Sequence, residues 1–376
     1  SHQVLTDASA IRTPTMYGSV ALRPRFDVVF QVCSLDTVTI GIILALWAAS
    51  VAIQMRVKDL VSVTAFGHKE AVLCPSALLV TGVSNGMASA VCFALVYAAK
   101  AGFACAPAAG QSGEGESREA QSFTWPQLAM LLVVGVFEGG ERGLQNKSFE
   151  YLDIATRTMV CSTGLLFTLA IARACGLELV NPPRVASVLV LVLGGCLQGV
   201  GMHGGRSSVE GVVLAVLSLL AGSCRWVTMQ VLLNRTSDRP LKPNNLTKIK
   251  MIAFMKPVDC FFCLMLSWLW EHTDFTAITG QVLVACLINA VLIIVTVVCD
   301  IAVISRISAV GLGVVMTLFS IPLVLAGVIL DKEHVTLWQI SGFAVCVVGS
   351  LIYFRERARE SASLATNAGL KDGDAC

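Results

Sequence analysis

The sequence predicts an all-α integral membrane protein whose ten transmembrane helices form two inverted five-helix repeats. Three observations predict this fold: the composition, the lengths of the apolar runs and the placement of the basic residues. Of 376 residues, 55% are hydrophobic and only 14% are charged, whereas a soluble globular chain carries about 25% charged residues. A bilayer replaces water around the outside of helices, so it can accommodate a chain with a mean hydropathy of +0.75.

Ten apolar runs are long enough to cross the ~30 Å hydrocarbon core of a bilayer. They occupy residues 34–55, 72–99, 125–151, 155–175, 184–203, 209–233, 249–270, 279–305, 308–330 and 335–354. The third run is the least hydrophobic, because Glu138, Glu141, Arg142 and Lys147 interrupt it. Each run predicts one transmembrane helix.

The helix count predicts two repeats. Residues 34–203 hold the first five helices and residues 204–354 hold the second five. Because five is odd, the second half enters the membrane from the opposite side, which is the arrangement of an inverted repeat with its site at the midplane. The polar segment 1–33 opens with Ser-His and no Met, so we expect it to be truncated. Residues 355–376 are expected to form a disordered tail.

The lysines and arginines predict the orientation, because an excess of them marks the cytosolic side. With a cytosolic N-terminus, the inner segments hold most of the loop lysines and arginines. The outer loops then hold only Arg56, Lys58, Lys69, Arg157, Arg206 and Lys332. Both termini are therefore expected in the cytosol, on the same side, as an even number of helices requires.

Ionisable residues inside the third helix point to a polar site. Each costs about 2.5–3.5 kcal/mol at a helix centre, so it usually faces a cavity or a partner. Spacings of three and four residues place the polar side chains on one stripe, and Glu138 can pair with Arg142. The stripe consists of Glu138, Glu141, Arg142, Gln145 and Asn146. We expect it to line a cavity; an interhelical ion pair, or a helix end near the headgroups, is the alternative.

Arg225 lies well inside the sixth run and is the sharpest single candidate. A guanidinium suits bidentate recognition of phosphate or carboxylate, so an anion-binding role is expected. Snorkelling, or pairing with Asp300 or Glu138, is the alternative.

The sequence favours no enzyme. It contains no HExxH motif and no Walker A loop, so we expect no cofactor or metal and a secondary carrier rather than a primary pump. The net charge of +2 gives no reason to expect nucleic acid as a partner. Most of the 14 cysteines lie inside apolar runs, where a thiol behaves as a small hydrophobe, so they are expected to be reduced.

Three segments resemble the triose-phosphate and nucleotide-sugar transporter family of the drug/metabolite transporter superfamily. The segment GLQNKSFEYLDIATRTMVCSTGLLFTLAIA (143–172) resembles that family's third-to-fourth-helix region. Residues 209–233, with a Glu-Gly start and Arg-Trp, resemble its sixth helix. Residues 300–354 resemble its last helices, with Ser-Arg-Ile-Ser-Ala at 305–309 and the closing Trp338…Gly342-Phe343. The resemblance covers about 34–355, and it is strongest to the Golgi-associated subgroup proposed to handle GDP-fucose.

The resemblance implies a ten-helix inverted repeat and antiport of a phosphorylated sugar or nucleotide-sugar between cytosol and organelle lumen. Two positions depart from the family. Its fourth-helix lysine falls on Cys161 here, and its ninth-helix lysine falls on Phe319. In relatives such lysines hold the phosphate of the substrate. Arg225 and Arg142 are expected to substitute for them, and a carrier of a less anionic metabolite stays an alternative.

These expectations combine into a secondary transporter that works by alternating access in the Golgi or another endomembrane, with the plastid envelope as the alternative. The expected partners are a small-molecule substrate and the lipid bilayer, with homodimerisation left open. A non-transporting membrane regulator on the same fold is the alternative function. The expected substrate-binding residues are Arg142, Asn146, Tyr151, Thr158, Ser162, Arg225, Asp300 and Ser320.

Overall fold

The computed structural model describes residues 37–61, 76–104, 123–152, 160–178, 181–200, 208–235, 244–272, 278–319, 321–322 and 336–373. Regular secondary structure in these residues is helical. The helices are α1 Thr37–Val61, α2 Ala77–Ala104, α3 Trp125–Tyr151, α4 Gly164–Ala174, α5 Pro182–Val200, α6 Val209–Arg235, α7 Asn245–Leu266, α8 Gly280–Arg306, α9 Ala309–Leu318 and α10 Leu337–Gly373. A π-helical turn, Ser267–Glu271, extends α7. Each predicted run overlaps one of these helices.

Within the described residues, six helices are long and apolar enough to cross a membrane: α1, α2, α5, α6, α8 and α10. The most apolar is α8, with a mean hydropathy of 3.0. Helices α4 and α9 are shorter, with 11 and 10 residues, and α3 and α7 carry charged residues near their centres. The chain is therefore a multi-pass helical membrane protein. The ten spans and the inverted repeat stay predictions.

Helices α2 and α8 begin at hydroxyl side chains that cap their first turns. The Ser76 Oγ accepts a hydrogen bond from the backbone N–H of Leu79 at 2.9 Å. The Thr279 Oγ1 accepts one from the N–H of Val282 at 3.4 Å. Such caps satisfy N–H groups that have no partner inside the helix.

Glycines let α3 lie directly against α7. A Cβ added at Gly135 would lie 2.6 Å from the backbone oxygen of Met255, and one added at Gly139 would lie 2.8 Å from the Cβ of Phe262. Gly135 and Gly139 have the GxxxG spacing that is typical of close packing between membrane helices, and α3 and α7 pack closely at both positions. Because these glycines have no side chain, the polar stripe of α3 can lie close to α7.

Apolar side chains hold the bundle together on two sides. The larger buried cluster includes Leu131 of α3, Met255 of α7 and Ile301 of α8. A second cluster joins α5 to α10 through residues such as Leu191 and Tyr353. The first of these clusters fixes α3, α7 and α8 relative to one another.

The last helix differs from the expected disordered tail, because α10 continues as a helix to Gly373. Its extension carries strong helix formers and finds partners on the neighbouring turns. Arg357 Nη1 donates to the Ser308 Oγ at 2.7 Å, and Glu360 accepts from Arg184 at the start of α5. These contacts attach the beginning of the predicted tail to the bundle.

Candidate functional site

Seven ionisable side chains from four helices meet inside the bundle, in what we call the charged cluster. Three come from α3, one from α6, two from α7 and one from α8. Five of the seven are buried, and the other two are half-buried. The members are Glu138, Glu141, Arg142, Arg225, Lys256, Asp259 and Asp300.

Lys256 lies at the centre of the charged cluster and is fully buried. Its Nζ donates to Glu138 Oε1 at 2.7 Å and to Asp259 Oδ2 at 2.9 Å. Both carboxylates are also fully buried. An ammonium with two carboxylate partners is the arrangement that makes buried charge tolerable. Lys256 therefore links α7 to α3.

Arg142 pairs with Glu138 one helical turn away, as the spacing predicted. The Nη2 of Arg142 lies 3.2 Å from Glu138 Oε1. Glu138 Oε1 thus accepts hydrogen bonds from both Arg142 and Lys256. Two buried atoms of this pair, Glu138 Oε2 and Arg142 Nε, have no hydrogen-bond partner among the described residues.

Arg225 reaches three carboxylates. Its Nε donates to Glu141 Oε2 at 2.8 Å, and its Nη1 lies 3.8 Å from both Glu138 Oε1 and Asp300 Oδ2. The sequence left open pairing with Glu138 or Asp300, and the structure shows both at long distance, with Glu141 closest. Gly222 permits this contact, because a Cβ there would lie 2.7 Å from the Glu141 carboxyl carbon.

Charges in the cluster nearly balance. Its three cations are Arg142, Arg225 and Lys256, and its four carboxylates are Glu138, Glu141, Asp259 and Asp300. With every group ionised the sum is one negative charge. The cluster is therefore a nearly neutral network of ion pairs buried inside the helical bundle.

The other predicted site residues lie away from the cluster or outside the described part of the chain. Tyr151 lines a cavity of about 560 Å³ at the end of α3, together with Lys147, Glu210 and Trp270. Lys147 Nζ lies 5.9 Å from the Tyr151 ring centroid. The Oγ of Ser162 donates to the Val192 oxygen of α5 at 3.5 Å, so Ser162 lies against α5. The Asn146 side chain, Thr158 and Ser320 lie outside the described residues.

Sequence reasoning missed Lys256 and Asp259. Both interrupt the apolar run MIAFMKPVDCFFC, three residues apart, and the cost of a charge in a membrane helix could have singled them out. In the sequence alone, these residues near Pro257 look like part of an ordinary apolar run.

The segment Gly82-Val83-Ser84-Asn85-Gly86 matches the GxSxG spacing of hydrolase nucleophiles, but its setting differs from theirs. That motif requires a sharp strand-to-helix turn. Here the segment lies inside α2, and the Ser84 Oγ donates to the Val80 oxygen at 2.7 Å, one turn back. Ser84 therefore satisfies its hydroxyl within the helix.

The helices and the charged cluster define a multi-pass membrane protein with ionisable groups buried inside its helical bundle. No family model matches the chain. A protein of Saccharomyces cerevisiae (strain ATCC 204508 / S288c), named "Putative nucleotide-sugar transporter YMD8", is 26% identical in an alignment of 141 residues that covers 35% of this chain and 31% of the yeast protein. The match thus spans about a third of that relative's length.

A solved crystal structure of another protein superposes on the chain with a TM-score of 0.57 and 15% sequence identity. The superposition covers 84% of this chain and 96% of the other. At this identity the likeness shows the fold alone.

Proposed function

We propose that this chain is a secondary transporter that exchanges a nucleotide-sugar or phosphorylated sugar across an organelle membrane by alternating access. The observation that carries the proposal is the convergence of Arg142, Arg225 and Lys256 inside the bundle. The similarity to the yeast protein supports the nucleotide-sugar transporter family in the broad sense. The absence of a Walker A loop from the sequence favours a secondary carrier.

Phosphate oxygens would replace the carboxylates that hold the three cations. Arg225 offers a planar fork of donors for bidentate contact, and Lys256 offers a compact point charge. An anion that binds must displace Glu141 from Arg225 or Glu138 from Lys256. Carboxylates pair with the cations in the structure and phosphate oxygens would pair with them in the proposed complex, so the charges are compensated in both states.

The proposed repeats give these ion pairs a mechanical role. Helix α3 belongs to the first repeat (34–203), whereas α6, α7 and α8 belong to the second (204–354). Contacts of Glu138 with Lys256, and of Glu141 with Arg225, therefore join one repeat to the other. Rocking of one repeat against the other would break or slide these pairs, and a bound anion would compensate for them.

The full proposal includes ten spans, both termini in the cytosol and a Golgi or related endomembrane location. The loop lysines and arginines support the orientation. The shortness of α4 and α9 and the charge on α3 and α7 explain why these four helices look less like spans than the other six.

The test is exchange in proteoliposomes loaded with one member of a panel of nucleotide-sugars, nucleoside monophosphates and sugar phosphates. We expect uptake of at least one anionic solute, and a loss of about 10- to 100-fold in Arg225→Gln, as expected for removing a charged hydrogen bond worth about 1.5–3 kcal/mol. Arg359→Gln is the matched control, because the Arg359 side chain is 60% exposed on α10.

A second candidate is a carrier of a neutral or cationic metabolite. The excess of one carboxylate in the charged cluster favours it, as do Cys161 and Phe319 at the two family lysine positions. Uptake of neutral or cationic solutes, with failure of every anionic one, would establish this candidate and overturn the first. The cluster counts against a non-transporting regulator, because buried charges that serve no exchange are expensive to keep.

A further inference from the structure

Two asparagines inside the bundle carry amide groups that make no hydrogen bond to the described part of the chain. Asn85 of α2 is fully buried and Asn289 of α8 is 1% exposed. The amide oxygen and nitrogen of both side chains lack a hydrogen-bond partner among the described residues. A buried amide without a partner destabilises a fold, so such a group calls for an explanation.

Asn85 lies on a buried side of α2. Leu78, Asn85 and Cys92 are seven residues apart and share one side of α2. Leu78 marks the direction of that side, because its Cδ2 would lie 3.7 Å from a Cβ at Gly143 of α3. The start of α2 thus meets the end of α3, and the two helices run antiparallel. Two turns further along α2, Asn85 comes level with the Glu138 region of α3.

A contact between α2 and α7 places Asn85 at the same level of the bundle. A Cβ at Gly86, the residue after Asn85, would lie 3.0 Å from the Cys260 Sγ. Cys260 directly follows Asp259, which bonds Lys256. Asn85 therefore lies at the level of the charged cluster with respect to both α3 and α7.

Asn289 lies on the same buried side of α8 as Asp300, three helical turns away. The first turns of α2 and α8 pack together through Val80 and Cys286, where the Cys286 Sγ lies 3.8 Å from the Val80 oxygen. These two helices therefore run parallel. Asn289 is three residues beyond Cys286, and Asn85 is five beyond Val80, so the two amides lie at nearly the same depth.

We infer that Asn85 and Asn289 bind the uncharged, hydrogen-bonding part of the substrate, while the cations of the charged cluster hold its phosphates. The inference rests on the proposed function and deepens it. An amide both donates and accepts, so a pair of them suits groups that do the same, namely sugar hydroxyls or the edge of a nucleobase. Neutral donors add orientation without competing with the carboxylates for Arg225 or Lys256.

The test replaces each amide with an apolar side chain of similar size, in Asn85→Leu and Asn289→Leu. In proteoliposome exchange we expect each variant to raise the KM for the transported nucleotide-sugar at least 10-fold. Competition by inorganic pyrophosphate, which probes the cations alone, should stay within 2-fold of wild type. The melting temperature of the detergent-purified variants should equal or exceed that of wild type, because an unpaired amide has been removed.

Ser89→Ala is the matched control on α2, because the Ser89 Oγ donates to the Ala253 oxygen at 3.2 Å. We expect it to leave the KM unchanged. A second arm of the experiment compares the nucleotide-sugar with the free nucleoside monophosphate. A raised KM for the sugar conjugate alone assigns the amides to the sugar, and a raised KM for both assigns them to the base.

Two results would overturn the inference while the proposed function stands: leucine variants with a wild-type KM, or variants that melt well below wild type and lose pyrophosphate competition as well. If wild-type protein exchanges no anionic solute, the proposed function fails and the inference falls with it. The two failures are distinguishable, because only the failure of the proposed function leaves the wild-type protein without exchange of any anionic solute.

Discussion

The Nζ of Lys256 lies 2.7 Å from Oε1 of Glu138, and both side chains are fully buried. This pair joins α7 to α3, two helices that already touch through Gly135 and Gly139. Close backbone approach and a short ionic hydrogen bond thus occur at the same level of the bundle. A side chain at either glycine would push the two helices apart and lengthen the ion pair.

Removing Lys256 should be strongly destabilising. Lys256→Met leaves the buried carboxylates of Glu138 and Asp259 without the ammonium that bonds them. Breaking a buried pair in this way costs about 3–5 kcal/mol. The thermal melting of the detergent-purified protein measures the effect.

The double variant Lys256→Met with Asp259→Asn should recover part of that loss. The two residues bond directly, so a coupling of about 0.5–3 kcal/mol is expected in a double-mutant cycle. Strict additivity of the two single variants would show that the pair contributes nothing to the fold.

Arg225→Lys should impair exchange despite keeping the charge. The contacts of Arg225 use two separate nitrogens, Nε to Glu141 and Nη1 toward Glu138 and Asp300. A single ammonium cannot reproduce them, so a loss of about 10-fold or more is expected. Arg142→Lys is the comparison, because within the described part of the chain Arg142 makes one contact, from Nη2 to Glu138 at 3.2 Å. Equal losses in the two variants would argue against a special role for the Arg225 fork.

Gly135→Ala should destabilise the protein, whereas Gly140→Ala should not. A Cβ at Gly135 would meet the Met255 backbone oxygen at 2.6 Å, but at Gly140 the nearest atom, in Phe262, is 3.8 Å away. Overpacking of this kind costs about 1–3 kcal/mol, and alanine favours the helix over glycine by up to about 1 kcal/mol. The melting temperatures of the two variants should therefore move in opposite directions.

Arg184→Met should release the beginning of the extension of α10. Arg184 bonds Glu178 at 3.1 Å and also binds Glu360, and both Arg184 and Glu178 are buried. Hydrogen–deuterium exchange of the amides at 355–360 should become faster in the variant than in wild type. Arg359→Gln is the control, since its partner Glu356 belongs to the same helix. Unchanged protection in Arg184→Met would show that the helix forms independently of α5.

The sequence predicted most of the helices and one local ion pair. Apolar runs locate helices because the hydrocarbon core requires them, and the pair of Glu138 with Arg142 follows from a spacing of four. Arg225 could be singled out for its cost in an apolar helix. Its closest partner, Glu141, could not, because 84 residues separate the two and helix periodicity describes faces rather than neighbours.

Other parts of the site required three-dimensional information. Lys256 gains meaning only beside Glu138, and the position of Ser162 against α5 depends on how the segment before α4 packs. Asn85 belongs to no charged pattern in the sequence. Only the folded bundle shows that it is buried and that two of its polar atoms lack a partner among the residues that the structure describes.

The excess of one carboxylate in the charged cluster also has an electrical consequence. With all seven groups ionised, the cluster carries a net negative charge inside the helical bundle, and a voltage across a membrane that the bundle spans exerts a force on that charge. A full crossing by one charge is worth about 2.3 kcal/mol per 100 mV, and a partial displacement is worth the corresponding fraction. An exchange that is electroneutral in its substrates can therefore still respond to membrane potential, because Asp300 and its partners contribute a charge of their own.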